Sequence, residues 1–254
     1  MSAIEDHQAV NRRAFLGGVA ALASGGVVGR RALAAGDPLR VRVWFSDRAA
    51  EYDDLGARVE GYLTAALSEA ETDVAVTVAE PTVSLPAEDG KAVLARRWPR
   101  LVVEGGAGLS DVDPTVGVNL LVTDGDPTRQ PAGFARPHVA ASTGARYVAR
   151  MPPAEQVGTA APYTKAVAAT QLLLHECGHA LGLGHGHGSA TVTDDALVAS
   201  PMVGSYLWRG EDARRRHLGA TNGCGESYPS PAASEGRRLG LRYSACALAA
   251  LLDR

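Results

Sequence analysis

Three histidines, a glutamate and a glycine stand at fixed offsets in one short stretch, His175-Glu176-Cys177-Gly178-His179-Ala180-Leu181-Gly182-Leu183-Gly184-His185. The pattern is H-E-x-x-H-x-x-G-x-x-H. On a helix, residues four apart are offset by only about 40°, so His175 and His179 project side by side. Two imidazoles so placed can bind one zinc ion. Glu176 is rotated by about 100° from His175, so it borders the metal without ligating it. Gly182 tolerates the positive φ that ends a helix, which lets the chain turn and return His185 as a third ligand. Three protein ligands leave one position open, the mark of a catalytic zinc site. At this composition the pattern arises by chance in only about 3 of 100,000 such chains, which sets coincidence aside.

The rest of the chain supplies a frame for such a site. Residues 39–46 alternate, with Val41, Val43 and Phe45 on one face and Arg40, Arg42 and Trp44 on the other, which predicts a strand. Leu55, Val59, Tyr62, Leu63, Ala66 and Leu67 fall at helical spacing within residues 50–70. Further strands are expected at 74–78, 117–123 and 145–150. Further helices are expected at 90–98, 163–181 and from 237 to 252. Strands mixed with helices, followed by a loop-rich end closed by one helix, give an α+β fold class. The changeover falls near Gly182, so residues 35–182 form an upper part and residues 183–254 a lower part of a single domain.

The amino-terminal stretch reads differently. Asn11-Arg12-Arg13-Ala14-Phe15-Leu16 precedes a weakly apolar run over residues 17–29, and Ala32-Leu33-Ala34 offers an A-x-A cleavage site. Charged start, short apolar run and small-residue site describe a secretory leader over residues 1–34. The paired arginines resemble the twin-arginine type. The expected product is secreted or held at the cell envelope. The run is too short for a spanning helix, so no stable membrane span is expected once the leader is removed.

From His175 to Met202 the sequence resembles the metzincins, zinc peptidases that carry this extended motif followed by a Met-turn. Ser200-Pro201-Met202-Val203-Gly204 is the candidate turn. The resemblance implies a twisted mixed sheet with a backing helix and an active-site helix, then a small irregular carboxy-terminal part ending in a helix. It implies one catalytic zinc held by His175, His179 and His185, with Met202 as an apolar base beneath them. It implies an endopeptidase acting on protein or peptide substrates through a zinc-activated water, with Glu176 as general base. Some relatives place a tyrosine two residues after the methionine; here that place holds Gly204, and Tyr206 is the nearest candidate transition-state stabiliser. Relatives bind substrate by strand addition, and residues 117–123 are the candidate edge strand.

Other features bound the reading. The net charge of −3 gives no field aimed at nucleic acid. The Arg214-Arg215-Arg216 run follows Glu211 and Asp212 and reads as a solvated mixed-charge segment. Gly-x-Ser-x-Gly and Walker A patterns are absent from the sequence. His187 is a rival third ligand that breaks the spacing. Asp124 and Asp126 are candidate calcium ligands, or ordinary turn residues. Cys177 sits about 200° from His175 and points into the core. Cys224 and Cys246 are the plausible disulfide pair, whose closure contributes about 3 kcal/mol. Two alternatives stay open: a non-catalytic zinc-stabilised binding module, and a zinc hydrolase acting on a non-peptide amide.

Overall fold

The computed structural model describes residues 38–88, 93–193 and 195–252. The expected leader over residues 1–34 lies outside the described residues. β1 (Leu39–Phe45) alternates as expected at its start, then becomes buried on both faces through Trp44. α1 (Leu55–Leu67) buries the anticipated stripe against it, and β2 (Val74–Val78) pairs with β1 in parallel. β3 (Val118–Thr123) pairs with the other side of β1, also in parallel, with Val43 opposite Leu120. β4 (Gly133–Arg136) and β5 (Val139–Thr143) form a hairpin. β5 joins β3 in parallel, so the five strands run in the order β2-β1-β3-β5-β4 with β4 the antiparallel edge.

The residues expected as a cleft-edge strand, 117–123, are therefore central. All six residues of β3 are buried, as befits a strand covered on both faces. The covering helix on one face is α2 (Trp98–Gly106), preceded by a π turn at Val93–Arg97. It starts about where the helix expected over 90–98 should end. Pro99 is tolerated in its first turn, and Trp98, Leu101 and Val102 carry the apolar stripe. Trp98 packs on Trp44 with ring centroids 6.1 Å apart, which explains why Trp44 is buried on the face shared with two arginines.

The strand expected at 145–150 is a helical turn, α3 (Ala145–Val148). Gly144 reverses the chain at φ 104°, and the Asp124 carboxylate accepts from the Arg146 amide and guanidinium. This capping overrides a weak alternation. A second short turn, α4 (Ala154–Val157), leads to β6 (Ala160–Pro162) and then to α5 (Lys165–Ala180), the helix expected over 163–181. The Thr164 side chain caps α5 by accepting from the Val167 amide. Gly182 ends it at φ 81°, while Leu181 and Gly182 donate to carbonyls of the last turn. α5 packs on β4 and β5, and its buried face joins Leu173 and Leu174 to the main core.

Beyond Gly182 the chain is more ordered than its composition suggests. β7 (Ala190–Val192), β8 (Ala196–Ala199) and β9 (Gly236–Gly240) join β6 in a second mixed sheet of order β6-β9-β8-β7. α6 (Glu211–Leu218) contains the arginine run, with Arg215 paired to Glu211 on its exposed face. β9 occupies residues expected to be helical, because it is gripped on both sides by β6 and β8; the closing helix, α7, is only Ala245–Leu252. The architecture is thus α+β with two mixed sheets. No described helix is long and apolar enough to cross a membrane.

Candidate metal centre

One turn of α5 sets the His175 and His179 rings edge to face, with centroids 4.5 Å apart. After Gly182 the chain reverses and enters a 3-10 turn, His185–His187, which brings the His185 ring to 4.8 Å from His179. The Nε2 of His179 lies 3.0 Å from that of His175 and 3.1 Å from that of His185.

The second nitrogen of each ring decides what these three can do. His175 Nδ1 is 2.8 Å from the Pro201 carbonyl, and His179 Nδ1 is 2.8 Å from the Leu183 carbonyl. The backbone of His217 favours the protonated form of His185. A carbonyl only accepts, so the Nδ1 of His175 and that of His179 carry the proton, and each of these neutral rings presents a bare Nε2. Burial and the charge of His179 push His175 down to about 3, burial lowers His179, and burial with the neighbouring histidines takes His185 down to about 4. Lone pairs meeting at one point repel one another and are satisfied together by a cation. Metal–nitrogen bonds of about 2.0–2.1 Å in a tetrahedron space their ligands about 3.3 Å apart, close to the separations observed. The three histidines fit a metal ion.

A pH prediction follows from the sign of these shifts. A lowered imidazole pKa means that protons compete for Nε2 only in more acid solution than the usual 6.5 or so. Bound metal should therefore stay constant from pH 8 to about 5 and fall only as pH approaches 4. Metal content after equilibration across that range checks it; release centred near pH 6.5 would contradict it.

Glu176 sits beside His175, nearly buried. Burial alone pushes its carboxyl up to about 8. Gly133 of β4 lies directly against it, so a Cβ at that position would overlap the Glu176 side chain. Gly133→Val should displace Glu176 and cost at least about tenfold in any reaction using it, while bound metal is retained; unchanged activity would show that β4 does not border the working site.

Met202 is fully buried under α5, opposite Gly178, where a Cβ would overlap its sulfur. Its neighbour Pro201 holds His175, so this turn supports the ligands from below. Tyr206 stands in the 3-10 turn Gly204–Trp208, its ring 4.7 Å from His185 and 6.1 Å from His175. His217 of α6 stacks on it at 4.3 Å and lies 5.9 Å from His185. The sequence reading missed His217: nothing local distinguishes a histidine in the last turn of an arginine-rich helix.

His187 is outside the cluster, since its Nδ1 accepts from the Gly184 amide. Cys177 is a buried free thiol. Asp124 accepts from Arg146 and from Tyr52, and Asp126 from Thr128, so both are committed to ion-pair and turn contacts.

Cys224 and Cys246 form a disulfide. It joins two segments that both grip the His185 turn. Gly223 donates to the Gly186 carbonyl at 2.6 Å, and the Ser244 hydroxyl, at the start of α7, to the His187 carbonyl at 2.8 Å. Tyr228 adds longer hydroxyl contacts to the carbonyls of His185 and Gly188. Replacing both cysteines by serine should weaken metal binding about 10–100-fold with secondary structure intact, the range for groups that orient a ligand. Unchanged affinity would make the disulfide a distant staple only.

His175, Glu176 and Tyr206 line a cleft of about 510 Å³ that runs along α5. No protein-family model matches the chain, and no curated protein matches it.

Proposed function

We propose that the chain is an exported, zinc-dependent endopeptidase of the metzincin type. The observation that carries the reading is the convergence of three histidine Nε2 atoms beside a buried carboxyl, Glu176, in one open cleft. Three imidazole nitrogens suit zinc among the divalent ions. When bound, zinc supplies a Lewis acid that makes water more acidic and polarises a carbonyl.

The chain's own groups supply the rest. Glu176 takes a proton from the attacking water as its oxygen bonds to the substrate carbonyl carbon. Glu176 then passes that proton to the amine as the carbon–nitrogen bond breaks. A carboxyl raised toward neutrality by burial, and lowered again by a nearby cation, is suited to both transfers. The outer edge of β4, on which no described strand pairs, borders Glu176 through Gly133 and offers backbone groups to an extended peptide. Tyr206, whose ring lies 4.7 Å from that of His185, would donate to the oxygen on which negative charge develops.

The layout supports the metzincin reading: a mixed sheet with an antiparallel edge, backing helix α1, ligand helix α5, Met202 beneath it and closing helix α7. The disulfide accords with an oxidising compartment, and so with the leader expected at residues 1–34.

The test is the appearance of new amino termini in an unfolded protein incubated with the zinc-loaded chain. Their appearance supports the proposal. A chain that holds one zinc and releases none would be a metal-stabilised binding module instead.

A further inference from the structure

The cleft has two chemically different ends. Lys165, Ala168, Gln171, Leu172, His175 and Glu176 all line it, at the spacing of one helix face. Lys165 and Glu176 are eleven residues apart, about 16 Å along α5. That is the length of about five residues of extended peptide. Among the described residues Glu176 is the only acidic side chain on the cleft wall, and it stands at the metal end.

The end of the cleft away from Glu176 carries a cation. Lys165, one of only two lysines in the chain, opens α5 there. Arg209 also lines the cleft, its guanidinium 4.8 Å from the centre of the Tyr206 ring. Both are exposed, and among the described residues no carboxylate pairs with either. Arg237 adds a third positive charge nearby, over Trp208, whose ring meets that of the cleft residue Tyr163. Nine arginines among the described residues meet a carboxylate of this protein, whereas Lys165 and Arg209 face an open groove.

We propose that Lys165 and Arg209 bind a carboxylate of the substrate. Cleavage is then directed to peptide bonds that have an acidic group within about five residues on the side lying along α5. The inference rests on the peptidase reading for its consequence, but the binding it describes does not need cleavage. The carboxylate is either an aspartate or glutamate side chain or the free end of a short chain. Two cations that no described carboxylate neutralises attract such a group over several ångströms and repel lysine and arginine.

The experiment uses the full zinc-loaded chain and a peptide cut from an unfolded protein. Glutamate, glutamine or lysine is placed in turn at each of the five positions on either side of the cut, with the carboxy terminus free or amidated. Glutamate should exceed lysine by about tenfold in kcat/KM at one position, and 0.5 M salt should shrink that ratio. The double substitution Lys165→Glu with Arg209→Glu should invert it. A preference that survives amidation identifies a side chain; one that requires the free terminus identifies the chain end. Equal rates at every position, or a preference untouched by charge reversal, would overturn the proposal.

A second arm measures binding of the same labelled peptides to zinc-loaded Glu176→Gln protein by fluorescence anisotropy. Acidic peptides should bind about tenfold more tightly than their lysine counterparts. Equal binding overturns the inference. Acid-selective binding to a chain that cuts nothing would uphold the carboxylate site and remove the peptidase reading.

Discussion

Glu176→Gln should lower peptide hydrolysis by at least about a thousandfold while leaving one zinc per chain. A positioned proton carrier contributes about 10²–10⁴-fold, and in the proposed reaction Glu176 both accepts and delivers the proton. Glutamine keeps the shape of the side chain against Gly133, so the wall of the cleft stays where it is. None of the three metal-facing nitrogens changes. Steady-state rates together with metal content check this. Retained zinc with retained activity would remove Glu176 from the chemistry.

The same substitution tests the electrostatics in metal-free protein. A carboxyl raised by burial from about 4.5 to about 8 holds its proton in the folded state after the unfolded chain has released it. The folded state then binds more protons, so stability falls as pH rises through that window. Glutamine has no proton to lose. Metal-free Glu176→Gln should therefore unfold at higher temperature than metal-free wild type at pH 8, and the gap should close toward pH 4.5. The histidines act in the opposite sense. Their lowered values mean that stability is lost as pH falls below about 6.5 toward 4 and 3.

His179→Ala should abolish metal binding under the same conditions, with a loss in affinity greater than a hundredfold. Groups that merely orient a ligand already cost 10–100-fold, and His179 is the ring whose Nε2 faces both partners. Zinc stabilises the folded chain by mass action only if it binds there. Added zinc should raise the unfolding temperature of wild type and leave His179→Ala unmoved. An equal shift in both would place the metal elsewhere. In metal-free protein the substitution also removes one of the facing lone pairs, so its cost is limited to the small space left by a half-buried ring.

The parts of this site that were legible in the sequence are those written in short-range spacing. His175, Glu176 and His179 owe their arrangement to helix geometry, and Gly182 owes its place to a backbone conformation with φ 81°. The stripe of α1 is periodic, and the pairing of Cys224 with Cys246 followed from a small choice among three cysteines. What was hidden depends on distant partners. Residues 133–136, Gly-Phe-Ala-Arg, show no alternation that marks a strand, yet they form the edge beside Glu176 because β5 is there to pair with them. Residues 117–123 looked like an edge but are buried on both faces once α2 covers Trp44 and Leu121. The strand β9 was read as helix because pairing with β6 and β8, not local preference, sets its conformation. His217 reaches Tyr206 only because α6 folds back over the His185 turn.

The most direct test of the central claim is a zinc titration. The full chain is stripped with a chelator, zinc is returned in steps, and metal bound and new amino termini released from unfolded protein are measured in the same samples. The account predicts no cleavage without metal, a linear rise with bound zinc and a plateau at one zinc per chain. Cleavage that survives stripping, or a fully loaded chain that never cuts, would contradict it.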